Sequence, residues 1–501
     1  MTRASPAGIL FIAVLLQAVA AVLCNFPASM TLERAFPTNH HVLPSQLKAR
    51  DRLRHGRLLE SSNAVINFPV EGTYNPNLVG LYHTKVKLGS PPREFHVQID
   101  TGSNVLWVSC SSCKTCPKST DLKFQLNSFD PGNSSTASLM SCSDPRCESS
   151  DLTSEFICSA ANNQCTYSFQ YADESSTSGI YLSDLMYFDT FSGKDTVNTN
   201  SSAQVVFGCS TSAAGTLTKS DSAVDGIFGF GPQNISVISQ LSSQGIAPNV
   251  FSHCLKGDDT GGGILVLGKI DDPNLVYTPL IPSKPHYNIN LLNITVNDKI
   301  VPNISEFFTT STDQGTIVDS GTTLAYITET AYYPFITAVK SVIPLSVTPI
   351  STPDGFECYT GIKSFDNVFP QVGFHFDGGG SMVLEPKEYL FQQKFTNGVD
   401  TIEGWCIGFQ MIEGLDITIL GDLVLKDKLV VYDLDSQRIG WTNYDCSKSV
   451  NVITKTGNGT KIVTIGSQTQ STSGSSSFRN EPLIPIYLYI SILFVGSFLL
   501  I

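Results

Sequence analysis

From residue 65 to about residue 444, apolar and polar residues alternate in short runs separated by turn formers. The run YHTKVKL at 82–88 keeps a period of two, GSPP at 89–92 turns the chain, and FHVQI at 95–99 resumes the alternation. This stretch predicts a β-hairpin. Between residue 65 and about residue 444, helical spacing of apolar residues is clear only at 236–243 and 329–342. Many short strands and few helices predict an all-β protein. Its 39 Gly and 26 Pro fit a chain of frequent turns, and 501 residues leave room for two core-bearing lobes with extensions at both ends.

The ends have a different texture. Residues 8–23 are apolar behind Arg3 and finish in small residues, which predicts a secretory signal over 1–24 rather than a membrane span. A basic leader follows over 25–63, in which Lys48, Arg50, Arg52 and Arg54 cluster. The body is acidic, with 20 Lys and Arg against 40 Asp and Glu over 61–446. That contrast predicts a pro-segment held to its own body by charge. It excludes nucleic acid as a partner, because phosphates require a basic surface. After Cys446, residues 447–482 are rich in Ser, Thr and Gly and predict an exposed stalk and spacer. Residues 483–501 form a 19-residue apolar tail with no basic residue after it.

Of 13 Cys, Cys24 falls in the signal segment. The remaining 12, from Cys110 to Cys446, are an even set in an exported chain and predict disulfides. Cys110, Cys113 and Cys116 also have zinc-like spacing, but no His follows at finger spacing, so no metal is expected. Sequons beginning at Asn133, Asn200, Asn234, Asn293, Asn303 and Asn458 predict N-linked glycans.

An internal repeat carries the chemistry. VQIDTGSNVLWV around Asp100 matches TIVDSGTTLAYI around Asp319, and GIFGFG at 226–231 is echoed by ILGD at 419–422. In each copy an Asp leaves an apolar strand for a site where an isolated carboxylate is costly. Gly102 and Gly321 permit a tight turn that aims N–H groups at the carboxylate. Thr101, Ser103, Ser320 and Thr322 add hydroxyls. Two such turns facing each other would bring two carboxylates together, and like charges at that range share one proton. One carboxylate can then deprotonate a water while the other protonates a peptide carbonyl, without metal, cofactor or covalent intermediate.

Over about residues 64–446 the chain resembles the pepsin-like aspartic protease family, through DTGS at 100–103, DSGT at 319–322, IFG at 227–229 and ILG at 419–421. The resemblance implies an all-β bilobal fold, with an N-terminal lobe over 64–282, a C-terminal lobe over 283–446 and the active site in the cleft between them. It implies Asp100 and Asp319 as the catalytic pair, braced across the lobes by Thr101 and Ser320. It also implies Tyr171 as the residue of a flap over the cleft and Trp107 as its partner. Where family flaps carry glycines, this chain has Ala172 and Glu174.

The cysteine-rich stretch from Cys110 to Cys165 is similar to the plant nepenthesin-like branch. That likeness implies the pairs Cys110–Cys113, Cys116–Cys209, Cys142–Cys165, Cys147–Cys158, Cys254–Cys446 and Cys358–Cys406. Small residues Ser473, Gly474 and Ser475 ahead of the spacer and tail resemble a glycosylphosphatidylinositol signal, with a transmembrane helix as the competing reading. The expected protein is a monomeric endopeptidase of peptides or proteins, held by its lipid at the outer face of the plasma membrane and working at acidic pH. The alternatives are a catalytically silent binder or inhibitor on the same fold, or a glycosylated adhesion protein.

Overall fold

The computed structural model describes residues 64–466 apart from 74–80, 145, 148–155, 160–161, 193–195, 259–260, 312–313, 353–354, 363–367, 397–400, 413, 415 and 457–458. The expected signal, pro-segment and anchor segments, with Ser473, Gly474, Ser475 and the sequon at Asn458, lie outside the described residues.

The alternating runs become strands. Leu81–Leu88 pairs antiparallel with Arg93–Asp100, Val86 facing Phe95, as the turn between them requires. The sheet continues through Gly226–Gly229, Leu106–Ser109, Thr196–Ala214 and Ser176–Ser192 to Gln164–Gln170. A smaller five-stranded sheet, Asn288–Ile289, Gly315–Val318, Ile417–Leu420, Ala325–Thr328 and Phe409–Ile412, serves the second half of the chain.

The repeat is visible in the pairing. Gly226–Gly229 lies parallel to Arg93–Asp100 and antiparallel to Leu106–Ser109. Ile417–Leu420 lies parallel to Gly315–Val318 and antiparallel to Ala325–Thr328. In both copies the Asp-bearing turn is therefore gripped between a strand and the later Gly-containing element. Among the described residues the α-helices are Val237–Ser243, Glu329–Val342 and two single turns, so the all-β, pepsin-like architecture holds.

Between the two halves, Val250–Leu255, Gly263–Leu267 and Lys428–Asp433 form a stretch of sheet buried on both faces. Period-two alternation assigns the faces. Phe251, Leu265, Leu267, Val430 and Tyr432 join the main core, while Val250, Cys254, Ile264, Val266, Leu429 and Val431 point the other way.

That second face is covered by a hairpin, Val450–Thr456 with Gly459–Ile465, which also pairs with Lys269–Ile270. The expected exposed stalk thus does not begin at residue 447. Val450, Val452, Val463 and Ile465 alternate with polar residues and bury their side chains on the sheet. The Ser and Thr content of the segment had masked that period.

The structure corrects four of the six implied cysteine pairs. It joins Cys110 to Cys209, Cys113 to Cys116, Cys142 to Cys158 and Cys147 to Cys165. Cys110 follows strand Leu106–Ser109, which runs parallel to Thr196–Ala214 with Val108 opposite Cys209, so the bridge closes across neighbouring strands. Cys113 and Cys116 are then left to close a local turn, in which the Cys116 N–H also reaches Cys113 Sγ at 3.1 Å. In the insertion the buried Cys147 and Cys165 pair with each other, and the outer Cys142 and Cys158 do likewise. Cys254–Cys446 and Cys358–Cys406 are as implied.

Val452→Ala should lower the unfolding free energy by about 2 kcal/mol, because it strips buried methyls from the hairpin. Ile462→Ala, at a half-exposed position of the same hairpin, should change it by less than about 0.5 kcal/mol. Urea unfolding with disulfides intact measures both, and equal effects would mean that the hairpin is not packed on the sheet.

Candidate active site

The two Asp turns face each other with matching bonds. The Gly102 N–H donates to Asp100 Oδ1 at 2.8 Å, and the Gly321 N–H to Asp319 Oδ1 at 2.8 Å. Ser103 Oγ donates to Asp100 Oδ2, and Thr322 Oγ1 to Asp319 Oδ2 at 2.6 Å. Each carboxylate is thus held flat by one amide and one hydroxyl from its own turn. A Cβ on Gly102 would collide with the Asp319 carboxylate, and one on Gly321 with that of Asp100. Glycine at these two positions is what lets the carboxyls approach.

Across the gap the turns brace one another. Ser320 N–H donates to Thr101 Oγ1 at 2.9 Å, and Thr101 N–H to Ser320 Oγ at 3.3 Å. The hydroxyls pass their own protons on, Thr101 to the Val318 carbonyl and Ser320 to the Ile99 carbonyl, each at 3.4 Å. Thr101 and Ser320 are both buried, so no water competes for these bonds.

The electrostatics follow from the approach. Burial raises the Asp100 carboxyl well above the ordinary carboxylate range. The negative Asp319 raises it further, against the lowering pull of Ser103 and the Gly102 amide. Two carboxyls brought this near each other favour holding one proton between them.

The hairpin of Gln164–Gln170 and Ser176–Ser192 reaches Trp107, on the strand that follows the first Asp turn. At its tip Tyr171 Oη accepts from Trp107 Nε1 at 2.8 Å. Glu174, where a glycine is expected, adopts φ 64°, the left-handed region that an ordinary side chain occupies at a cost of about 1 kcal/mol. Asp173 accepts from Ser175 N–H at 3.0 Å and from the Thr216 hydroxyl, tying the tip to the turn Gly215–Thr218. Ala172 has no such backbone demand.

Three side chains that the motifs did not single out join the site. Asn104 Oδ1 accepts from the Gln233 N–H at 3.1 Å and links the first turn to the segment after Gly226–Gly229. His286 Nδ1 donates to the Gly102 carbonyl at 3.0 Å. Asp422 is buried, and neither of its carboxyl oxygens has a hydrogen-bond partner among the described residues. Burial, then the charges of Asp319 and Asp100, hold it protonated, well above the ordinary range. Its place directly after ILG at 419–421 was the available signal, whereas His286 stands in no motif. Of the sequons, Asn133, Asn234 and Asn303 are exposed, Asn293 is half-buried, and Asn200 lies in strand Thr196–Ala214. Among the described residues no His, Cys, Asp and Glu group suits a metal ion, and no helix is long and apolar enough to cross a membrane.

Family models described as Xylanase inhibitor N-terminal and Xylanase inhibitor C-terminal match residues 82–269 and 286–443. The chain is 39% identical to "Aspartic proteinase 39" of Arabidopsis thaliana, over 81% of its own length and 82% of the relative's. To "Aspartic proteinase 36" of the same plant it is 37% identical, over 88% of each. Among solved structures it is similar in fold to basic 7S globulin from soybean, with TM-score 0.55, 19% identity and coverage of 75% of this chain and 96% of that one. Conglutin gamma from lupine seeds gives TM-score 0.57 at 20% identity, covering 76% and 95%. Reciprocal Asp turns on this architecture, together with two aspartic proteinase relatives aligned over most of their length, place the chain in the plant pepsin-like aspartic protease family.

Proposed function

We propose that this chain is an active, secreted aspartic endopeptidase in which Asp100 and Asp319 activate a water against the peptide carbonyl. The observation that carries the reading is the matched set of bonds around the two carboxyls. Each carboxylate keeps its amide and hydroxyl donors, and the cross-brace between the turns is complete.

With one proton on the pair, the ionised carboxyl accepts a proton from the water while the protonated one donates to the carbonyl oxygen, giving a gem-diol. Return of a proton to the amine nitrogen then releases the two peptide halves. Acidic pH keeps the pair singly protonated and weakens the charge attraction of the basic leader 25–63 for the acidic body. Tyr171, oriented by Trp107, closes over an extended peptide as the flap residue.

A silent binder or inhibitor is the second reading. It draws on the description of the family models and on Glu174 at the flap tip. Neither feature touches the carboxyl pair, and the protease reading is preferred for that reason.

Asp100→Asn and Asp319→Asn should each cut kcat/KM on an unstructured peptide library at about pH 4 by at least about a thousandfold, with secretion and disulfides unchanged. Acidifying the neutral pro-form should release a fragment ending between residues 57 and 67 from the wild type but not from Asp319→Asn. Wild-type rates in both variants would refute the mechanism.

The small residues Ser473, Gly474 and Ser475 ahead of a polar spacer and the apolar run 483–501 support a lipid anchor at the outer face of the plasma membrane, with the glycans at the exposed sequons. Phosphatidylinositol-specific phospholipase C should release the protein from intact cells. A peptide from residues 483–501 found in the mature chain would establish a transmembrane helix instead.

A further inference from the structure

Beneath the carboxyl pair, the central sheet sends two polar side chains into the core, near the buried Asp422. His253 and Tyr432 are completely buried, on strands Val250–Leu255 and Lys428–Asp433, and both lie on the face that meets the active-site turns. The Tyr432 ring is fixed by Phe251, stacked on it at 4.4 Å between centroids with planes 4° apart, and by Tyr287 at 4.7 Å. His253 Nε2 lies 3.2 Å from Tyr432 Oη, and Tyr432 Oη lies 3.4 Å from Thr101 Oγ1.

Proton accounting gives this chain a direction. Tyr432 has one hydroxyl proton, and it is donated to Thr101 Oγ1. Its oxygen must then accept from His253, so Nε2 carries the imidazole proton and Nδ1 is bare. Nδ1 is indeed buried without a partner, and an unpaired acceptor costs less than an unpaired N–H. Burial also pushes the His253 pKa down to about 3, so the ring stays neutral and keeps this single tautomer through mildly acidic pH.

At the other end, Thr101 Oγ1 accepts from both Ser320 N–H and Tyr432 O–H. Both lone pairs are used, and its own proton has one destination, the Val318 carbonyl. The equivalent hydroxyl in the second turn, Ser320 Oγ, accepts from the Thr101 amide and donates to Ile99, so the two halves of the brace are not equal. Among the described residues, the interior supplies its extra donor to the Asp100 turn alone.

We infer that His253 and Tyr432 are positioning residues for the carboxyl pair: they lock the Thr101 hydroxyl, and through it the setting of the Asp100 turn against the Asp319 turn. The inference rests on the protease reading above. Neither side chain reaches a peptide in the cleft, so their effect is on the chemical step and not on substrate binding.

The test uses the mature chain with His253→Phe, Tyr432→Phe and His253→Gln, the last keeping an N–H donor. Tyr432→Phe and His253→Phe should lower kcat about tenfold with KM within about twofold, and should displace the limbs of the pH–rate profile; His253→Gln should recover most of the loss. If kcat per folded molecule and the profile stay at wild-type values while only the melting midpoint falls, the residues are packing and the inference is overturned. Histidine ¹⁵N NMR of the wild type gives a second reading that needs no activity. A neutral Nε2–H ring down to about pH 4 is expected, and an Nδ1–H ring, or one that titrates above about pH 5, overturns the inference directly. A wild type that cleaves nothing overturns the protease reading instead, leaving the NMR result to judge the hydrogen-bond chain.

Discussion

The structure turns on two short backbone crossings, in which each Asp turn gives an amide proton to the hydroxyl of the other. Two carboxyls this close, Asp100 buried and Asp319 half-buried, repel and cost solvation, so nothing about them alone would hold them face to face. The crossings supply that constraint, and they do so only if both turns arrive in register. Register is set in turn by a strand on one side and a Gly-containing element on the other, in each half of the chain. Glycine at 102 and 321 then removes the atoms that would keep the carboxyls apart.

The central sheet completes the constraint because both of its faces are occupied. One face carries Phe251, His253 and Tyr432 up to Thr101, and the other is sealed by Val452, Val463 and Ile465 of the terminal hairpin. A slip of one residue would turn Tyr432 away from Thr101 and Cys254 away from Cys446. The hairpin therefore belongs to the support of the active-site turns, although it lies across the sheet from them.

Much of this was legible in sequence. Period-two alternation gave the strands, and the matched DTGS and DSGT segments carried both the duplication and the carboxyl pair. Trp107 and Tyr171 were reached through family resemblance. Three features escaped for physical reasons. Disulfide partners depend on which strands become neighbours, and the parallel approach of Leu106–Ser109 to Thr196–Ala214 leaves no local trace. The hairpin at 450–465 hides its valines among Ser, Thr and Gly. His253 and Tyr432 are 179 residues apart and meet only through the sheet. Glu174 shows the opposite case: its missing glycine was plain in sequence, and the positive φ at that residue shows what the glycine would have supplied.

The central claim is that the two carboxyls hold one proton between them above the pH at which ordinary carboxyls lose theirs. Difference potentiometric titration of the mature wild type against the Asp100→Asn/Asp319→Asn double variant counts that proton directly. The account predicts one extra bound proton in the wild type at about pH 5–6, where a free carboxyl is ionised, and none once the pair has given it up at higher pH. A wild type that has already lost both dyad protons by about pH 5, in two ordinary steps near pH 4, would contradict it.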